Sequence, residues 1–585
     1  MARRSSLLFL LAGCLSAQTA FFPLKNVKAG LRGVGRTVFA GARVEEFQVE
    51  VLGVLENIGP KQALILARLS GGPLARTGVM QGMSGSPVYI EGKLLGAVAM
   101  AFPFATEPIA GIRPIEEMVR VGSAPPDSSL RIAFSLKETD LTRVLPRPQD
   151  LPAGDSRMVD VATPVSFGGF TRAAIEQFAQ PLRSLGLEPR QGLSAGARAD
   201  LRMGLPSALQ PGSMISVQLM SGDMSIGADG TVTYIDGSRI YAFGHRFLSV
   251  GSTALPFARS EVVTLLPTLN SSFKISAPRE LMGTISQDRN TAIFGELGRR
   301  APMVPVSVAV HRGGQRLESY NISMVNDRFL APLLVQMAVY SAIDATERTV
   351  GAASIRVKGE IELAGSPTPI RVNNMYAADN GSAVIASLST AIPLAYVLQS
   401  GFETLTLRRV VLDIESFGEK KQLQIDGVTV ARHQVRPGEK VQLQVVLAGE
   451  NGAEVTRRVE YDVPVGAPAG PLYFTVADGA TTNLTEFRQI IGATPKTVAQ
   501  LMTTVNSLRA NTKAYVRVWR SDPAFQVEGI DLPDPPPSAA LILGGSQAGS
   551  GSISQTRNSK VAELEIAAGE VAISGSKTVQ VEIKE

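Results

Sequence analysis

The chain has 585 residues, 44% of them apolar and 19% charged, so it is too long for a single hydrophobic core and too apolar to be disordered. Its 56 glycines and 36 prolines favour many short strands joined by turns, which predicts a mainly β protein of several domains. The net charge of +5, without a basic block, gives little support for nucleic-acid binding, and one cysteine with three histidines excludes a disulfide framework, zinc ribbons and iron–sulfur clusters.

The first 20 residues resemble an export signal. Two arginines near the N-terminus precede an apolar run at 7–12, which is typical of a secretory signal peptide. Cys14 ends the sequence LAGC, which is similar to the bacterial lipobox, whose cysteine is acylated. The alternative is an ordinary signal peptide cleaved a few residues after Cys14. Both predict an exported protein of the periplasm or cell envelope, and the first adds a lipid anchor. Later apolar stretches are shorter than the ~18 to 20 residues that span a bilayer.

Strand signals dominate the first part of the chain. Apolar, strand-length runs occur at 47–55 and 63–69, and residues 88–99 have a hairpin pattern about a Glu-Gly turn. A polar, proline-rich stretch at 121–155 predicts a connector with one short strand. Residues 171–186 predict a helix.

The later part of the chain alternates between strand and helix signals. A strand-rich block covers 212–325, and helical patterns follow at 329–346 and 383–400. Residues 401–470 return to strand alternation and predict a β-sandwich. A helical stretch at 484–510, a proline-rich linker and a last strand pair complete the chain.

The motif GMSGSP at residues 82–87 is the main candidate for chemistry. A serine nucleophile needs a tight turn whose backbone N–H groups converge on one point, so that the oxyanion is held while the hydroxyl attacks. Gly82 supports such a turn, Gly85 leaves room beside Ser84, and Pro87 stiffens the exit into the next strand. The alternative is a plain glycine–serine turn between two strands.

His245 is the strongest candidate for the base that a serine nucleophile requires. It follows a glycine in the aromatic, strand-like segment YAFGHRF at 241–247, whereas His311 and His433 lie in polar turn sequences. The alternative for His245 is a hydrogen-bonded residue of the core.

The segments around Ser84 and His245 resemble two motifs of one family, the SpoIVB-type serine peptidases. GMSGSP followed by VYIEGKLLGAVAM is similar to the family's nucleophile segment, and GTVTYID followed by AFGH is similar to its histidine segment. IFG at 293–295 is similar to a later family segment. The resemblance implies a chymotrypsin-like double β-barrel. It also implies that Ser84 is the nucleophile, that His245 is the general base, and that the amides of Gly82 and Ser84 form the oxyanion hole.

Two features depart from the family pattern. Ser84 precedes His245 here, whereas the family has the opposite order, as if the domain were circularly permuted; geometry rather than chain order defines such a site. The family also has an aspartate shortly before its serine, and residues 57–83 contain no Asp or Glu. Asp288 is the candidate acid and Asp236 its competitor, while the alternative for each is a turn aspartate bonded to nearby amides.

These assignments predict a domain order and a function. The predicted units are the signal (1–20), the serine-bearing half of the peptidase domain (21–125), a connector with a helix (126–205), the histidine-bearing half (206–330), an α+β segment (331–400), the β-sandwich (401–470) and an α+β region with a linker (471–585). The leading hypothesis is an exported serine endopeptidase that cleaves polypeptide substrates through a Ser84 acyl-enzyme and needs no metal or other cofactor. The alternative is a non-catalytic envelope binding or scaffold protein built on a degenerate peptidase fold. The oligomeric state stays open.

Overall fold

The structure is a computed structural model. The residues it describes are 19–102, 105–123, 125, 136, 140–143, 145, 151–153, 156–192, 202–269, 271–346, 352–450, 452–490, 495–522, 524–527, 530–532, 535–546, 553–556 and 558–585. Most of the predicted export signal, including Cys14, lies outside these residues. Among the described residues, no helix combines the length and the apolar character needed to cross a membrane.

The first sheet carries the GMSGSP motif. Its eight strands are β1 (Arg32–Ala40), β2 (Arg43–Gly59), β3 (Gln62–Ser70), β4 (Pro87–Ile90), β5 (Lys93–Ala101), β6 (Ile109–Pro114), β7 (Leu151–Ala153) and β8 (Ser156–Asp160). Two short helices, α1 (Leu74–Thr77) and α2 (Ile115–Met118), belong to the same part of the chain. The strand order is β4-β1-β2-β3-β6-β5-β8-β7, and the additional pairing of β4 with β5 closes β1 to β6 into a barrel.

The second sheet carries the histidine segment. Its thirteen strands are β9 (Thr163–Gly168), β10 (Leu187–Gln191), β11 (Met214–Gly222), β12 (Ser225–Asp236), β13 (Arg239–Ala242), β14 (Gly251–Leu266), β15 (Phe273–Arg289), β16 (Ala292–Leu297), β17 (Met303–Arg312), β18 (Gln315–Val325), β19 (Ala353–Ala364), β20 (Ile370–Ala378) and β21 (Thr406–Phe417). Their order is β10-β9-β12-β13-β16-β15-β14-β11-β18-β17-β21-β19-β20, and β12 also pairs with β11, which closes β11 to β16 into a second barrel. The predicted mainly β, chymotrypsin-like double-barrel fold is thereby confirmed.

Three helices accompany the second sheet, namely α3 (Arg172–Arg183), α4 (Leu330–Thr346) and α5 (Ser382–Leu398). Helices α3 and α4 lie within the predicted helical stretches, and α5 begins one residue before its predicted stretch. Helices α4 and α5 pack on each other and on neighbouring strands, and their buried side chains join the largest apolar core of the molecule. This core extends from the second barrel, so the barrel is continuous with the α+β segment that follows it.

The C-terminal part forms the predicted sandwich, with different bounds. One sheet has the order β25-β24-β22-β32 and the other β23-β33-β26-β27-β31, and both bury side chains in one core. The strands are β22 (Gln422–Val430), β23 (Gln434–Val435), β24 (Lys440–Ala448), β25 (Glu454–Asp462), β26 (Gly470–Asp478), β27 (Lys513–Arg520), β31 (Ser559–Ala567), β32 (Ala572–Ser574) and β33 (Ser576–Ile583). A separate three-stranded sheet contains β28 (Ala524–Val527), β29 (Ile530–Leu532) and β30 (Ile553–Thr556).

Two details of this part differ from the sequence-based expectation. β21 was expected in the sandwich but pairs with β17 and β19 in the second sheet; its alternating pattern shows a strand but cannot show the partner. The helical stretch at 484–510 is two helices, α6 (Gly479–Ile490) and α7 (Val498–Asn506), and a last helix is α8 (Pro537–Ser546). Pro495 precedes α7, and the Thr497 hydroxyl caps it by accepting from the amide of Gln500.

Candidate active site

The Ser84 loop, which comprises residues 78–86, is a tight, buried turn between α1 and β4. Gly82 and Gly85 have φ angles of 89° and 90°, which are readily adopted by glycine. A Cβ on Gly85 would lie 2.0 Å from the carbonyl oxygen of Thr231 and 2.6 Å from the nitrogen of Phe243. The glycine therefore lets the first barrel approach the backbone of the second.

Two threonines of β12 hold this loop from the opposite barrel. The Thr231 hydroxyl donates to the carbonyl of Gly82 (2.9 Å), and the Thr233 hydroxyl donates to the carbonyl of Gly85 (2.7 Å). The Thr231 amide also donates to the carbonyl of Ser84 (2.8 Å). Local sequence patterns do not indicate these hydrogen bonds, although two threonines alternating with apolar residues in the strand are the available signal.

The Ser84 hydroxyl and the backbone amides of Gly82 and Ser84 have no hydrogen-bond partner among the described residues. Ser84 is 0% exposed, and its Oγ has no hydrogen-bond partner among the described residues. Within the same part of the chain, the amides of Gly82 and Ser84 donate to no acceptor. Buried polar groups in proteins are nearly always paired, so this cluster is suited to a ligand oxygen, as the predicted oxyanion hole requires.

His245 lies in a loop that packs against the Ser84 loop. Phe243 and Gly244 precede it with φ angles of 70° and 71°. The carbonyl of Val98 accepts from the amide of Gly85 (2.7 Å), and a Cβ on Gly244 would lie 3.2 Å from the same oxygen. The loops that carry the two predicted catalytic residues therefore meet at one carbonyl group.

The imidazole of His245 is prepared to accept a proton. Nδ1 lies 2.6 Å from the carbonyl oxygen of Arg246, and because a carbonyl only accepts, Nδ1 carries the hydrogen and Nε2 keeps its lone pair. Nε2 has no partner among the described residues, so it is not hydrogen-bonded to Ser84 in this structure. Burial lowers the pKa of His245, and the charge of Asp160 opposes this shift. The ring is therefore neutral at pH 7.

The two predicted acids have different surroundings. The Asp288 carboxylate accepts from the amides of Phe247 (2.8 Å), Leu248 (2.6 Å) and Val250 (3.3 Å). It thus fixes the loop that follows the histidine. Burial raises the pKa of Asp288 to about 6, against these hydrogen bonds. Asp236 is exposed at the end of β12. Among the described residues, neither carboxylate hydrogen-bonds the imidazole of His245.

A buried lysine lies beneath the Ser84 loop and was not found from the sequence. Lys274 Nζ donates to the Thr37 hydroxyl (2.7 Å), which also accepts from the Ser86 hydroxyl (3.1 Å). Burial lowers the pKa of Lys274 to about 7, and the charge of Asp229 opposes the shift. Asp229 is buried too, and burial raises its pKa to about 6. No local pattern marks a lysine as buried, because lysine is normally exposed.

Comparison with known proteins identifies one part of the chain. No curated protein and no solved structure matches the chain. Residues 21–119 match the family model described as SpoIVB peptidase S55. The match covers the first barrel with the Ser84 loop and ends before His245. This match confirms the resemblance to the SpoIVB peptidase family that GMSGSP and its following strands carry.

Proposed function

We propose that this chain is an exported serine endopeptidase in which Ser84 is the nucleophile and His245 the general base. The observation that carries the proposal is that two loops, which both contact the Val98 carbonyl, each hold a buried polar atom without a hydrogen-bond partner among the described residues, namely Ser84 Oγ and His245 Nε2. The match of the Ser84-bearing barrel to a peptidase family supports the same chemistry.

The reaction follows from the protonation states. Nε2 of the neutral imidazole accepts the proton of Ser84 while Oγ attacks the carbonyl carbon of a peptide bond. The amides of Gly82 and Ser84 hold the oxyanion. The imidazolium then donates its proton to the leaving amine, and a water molecule, deprotonated by the same ring, hydrolyses the acyl-enzyme. The Arg246 carbonyl keeps the proton on Nδ1 throughout, a task that a carboxylate performs in the usual triad.

Export is part of the proposal and rests on residues 1–20. The basic start, the apolar run and Cys14 are the features that support it. A Cys14→Ala variant distinguishes the two forms of signal, because loss of a lipid anchor transfers the protein from the membrane fraction to the soluble exported fraction. Retention of the unprocessed chain in the cytoplasm would contradict export.

Hydrolysis of an unfolded polypeptide tests the function. The wild-type chain should release peptides from reduced casein, and Ser84→Ala should release them at the rate of the buffer. Ser70→Ala is a matched control, since Ser70 is an exposed serine at the end of β3 in the same barrel. Equal hydrolysis by the wild type and Ser84→Ala would refute the nucleophile. No hydrolysis by the wild type and none by a Val161→Pro variant would favour the non-catalytic envelope protein.

A further inference from the structure

One edge of β5 carries three neighbours in succession. Residues 93–97 pair with β4. Val98 then exchanges hydrogen bonds with the Ser84 loop, because its carbonyl accepts from Gly85 (2.7 Å) and its amide donates to the carbonyl of Ser86 (3.0 Å). Beyond Val98, β8 pairs with the last residues of β5. The other edge of β5 is taken by β6, so the Ser84 loop and β8 share one edge.

The pairing of β8 leads its chain towards Ser84. The strands are antiparallel, with Ala101 opposite Val159 and Met100 opposite Asp160. The amide of Val161 continues the ladder by donating to the carbonyl of Ala99 (2.9 Å). The next peptide bond, from Val161 to Ala162, therefore comes level with Val98, the residue that binds the Ser84 loop.

This segment and the serine are both buried. Val161 is 4% exposed and Ser84 is 0% exposed. After Ala162 the chain enters β9 of the second sheet, so it passes here from the first sheet to the second. The charge of Asp160 acts on the imidazole of His245, so the end of β8 lies near the histidine loop.

We propose that residues 159–162 occupy the substrate-binding edge of the candidate peptidase, in place of an extended polypeptide. This inference rests on the proposed function. An added strand is recognised through its main-chain hydrogen bonds, and its side chains give the specificity. The edge of β5 accepts such a strand at Ala99 and Met100 and delivers its following carbonyl group to the Ser84 loop. The substrate is an extended polypeptide with a branched aliphatic residue, as Val161 is, and never proline at that position.

It follows that residues 159–162 slow the reaction of the wild-type chain, since a substrate has to displace them first. The Val161→Pro variant removes the N–H that binds the carbonyl of Ala99 and so weakens the internal strand. Asp160, the residue before this position, is extended, as proline requires of its preceding residue. Val161→Ala is the matched control, since it shortens the side chain and keeps the N–H.

The first test measures the rate at which a small fluorophosphonate labels Ser84. We expect Val161→Pro to be labelled about tenfold faster than the wild type, in line with the loss of one main-chain hydrogen bond, and Val161→Ala to stay within about threefold. Equal rates for the wild type and a folded Val161→Pro variant would overturn the inference and leave the proposed function intact. Absence of labelling in all variants would overturn both.

Hydrogen exchange followed by mass spectrometry provides a readout that does not need catalysis. Peptides covering 159–163 should be protected in the wild type and equally in Ser84→Ala, and they should lose protection in Val161→Pro. Exchange of this segment at the rate of an unstructured chain in the wild type would show that β5 does not hold it, and the inference would fall whatever the labelling result.

Discussion

The amide of Thr231 donates to the carbonyl of Ser84 over 2.8 Å, and this hydrogen bond joins the two β-barrels at the candidate active site. Both partners lie in buried segments that are distant in the chain. The bond fixes the Ser84 loop of the first barrel to the strand that leads to His245 in the second. The geometry of the site therefore depends on contacts between the barrels, and these contacts can be tested one by one.

The Thr231 hydroxyl should contribute to stability and to the reactivity of Ser84. Thr231→Val removes the donor and leaves the buried carbonyl of Gly82 unpaired, which should lower the free energy of unfolding by about 1 to 3 kcal/mol. Denaturant unfolding measures this loss, and the labelling rate of Ser84 should fall with it. Thr231→Ser retains the hydroxyl and should recover most of both. A Thr231→Val variant as stable as the wild type would contradict the role of this bond.

The absence of a side chain at Gly85 should be essential. Gly85→Ala places a Cβ 2.0 Å from the Thr231 carbonyl oxygen at a φ of 90°, so the barrels must move apart, and we expect loss of folding or of labelling. Gly92→Ala is the matched control, because Gly92 also has a positive φ of 71° but open space around it. That variant should show only the backbone strain of about 1 to 2 kcal/mol. Equal behaviour of the two variants would contradict the close approach at Gly85.

The reactivity of Ser84 should depend on the protonation of His245. Because burial lowers the pKa of His245 below its ordinary value of 6.5, the labelling rate should rise with pH through a midpoint below 6.5 and stay level above pH 7. Asp288→Asn should show the same acidic limb. This result would assign the limb to the imidazole of His245 and not to the Asp288 carboxylate, whose pKa is about 6. A limb centred above pH 7, or one that disappears in Asp288→Asn, would contradict the assignment.

Asp288 should act mainly through the loop that it holds. Its three acceptor contacts are to loop amides, so Asp288→Asn should keep the labelling rate within about tenfold, whereas loss of a triad acid costs about 10⁴-fold. The folded pKa of about 6 lies above the ordinary 3.8. The wild type therefore binds this proton more tightly when folded, and its stability relative to Asp288→Asn should fall as pH rises from 4 to 7. A fall in rate of 10⁴-fold would restore Asp288 as the acid.

The sequence predicted the mainly β architecture and the serine loop because both are local. Glycine spacing in GMSGSP and the apolar hairpin after it do not depend on distant residues. The double barrel and the link between Ser84 and His245 came from the family resemblance, since local alternation cannot show which strands pair. For the same reason β21 was placed in the sandwich. Lys274 and Asp229 were not found because their burial arises only when strands from different parts of the chain come together.

Sequence patterns also could not show that residues 159–162 occupy the edge of β5. Residues 156–161 resemble any short strand in a connector, and only the register of β8 against Met100 and Ala101 shows that they lie beside the Ser84 loop. Strand pairing determines which segment lies along the edge of a sheet, and this pairing is seen only in the three-dimensional structure.

Labelling with a fluorophosphonate, followed by peptide mapping, tests the central claim most directly. In wild-type and Val161→Pro protein the phosphonyl group should be found on Ser84, it should be absent in Ser84→Ala, and His245→Ala should slow its appearance by at least about 10³-fold. Labelling that survives in Ser84→Ala, or that proceeds at the wild-type rate in His245→Ala, would show that these two side chains do not act together.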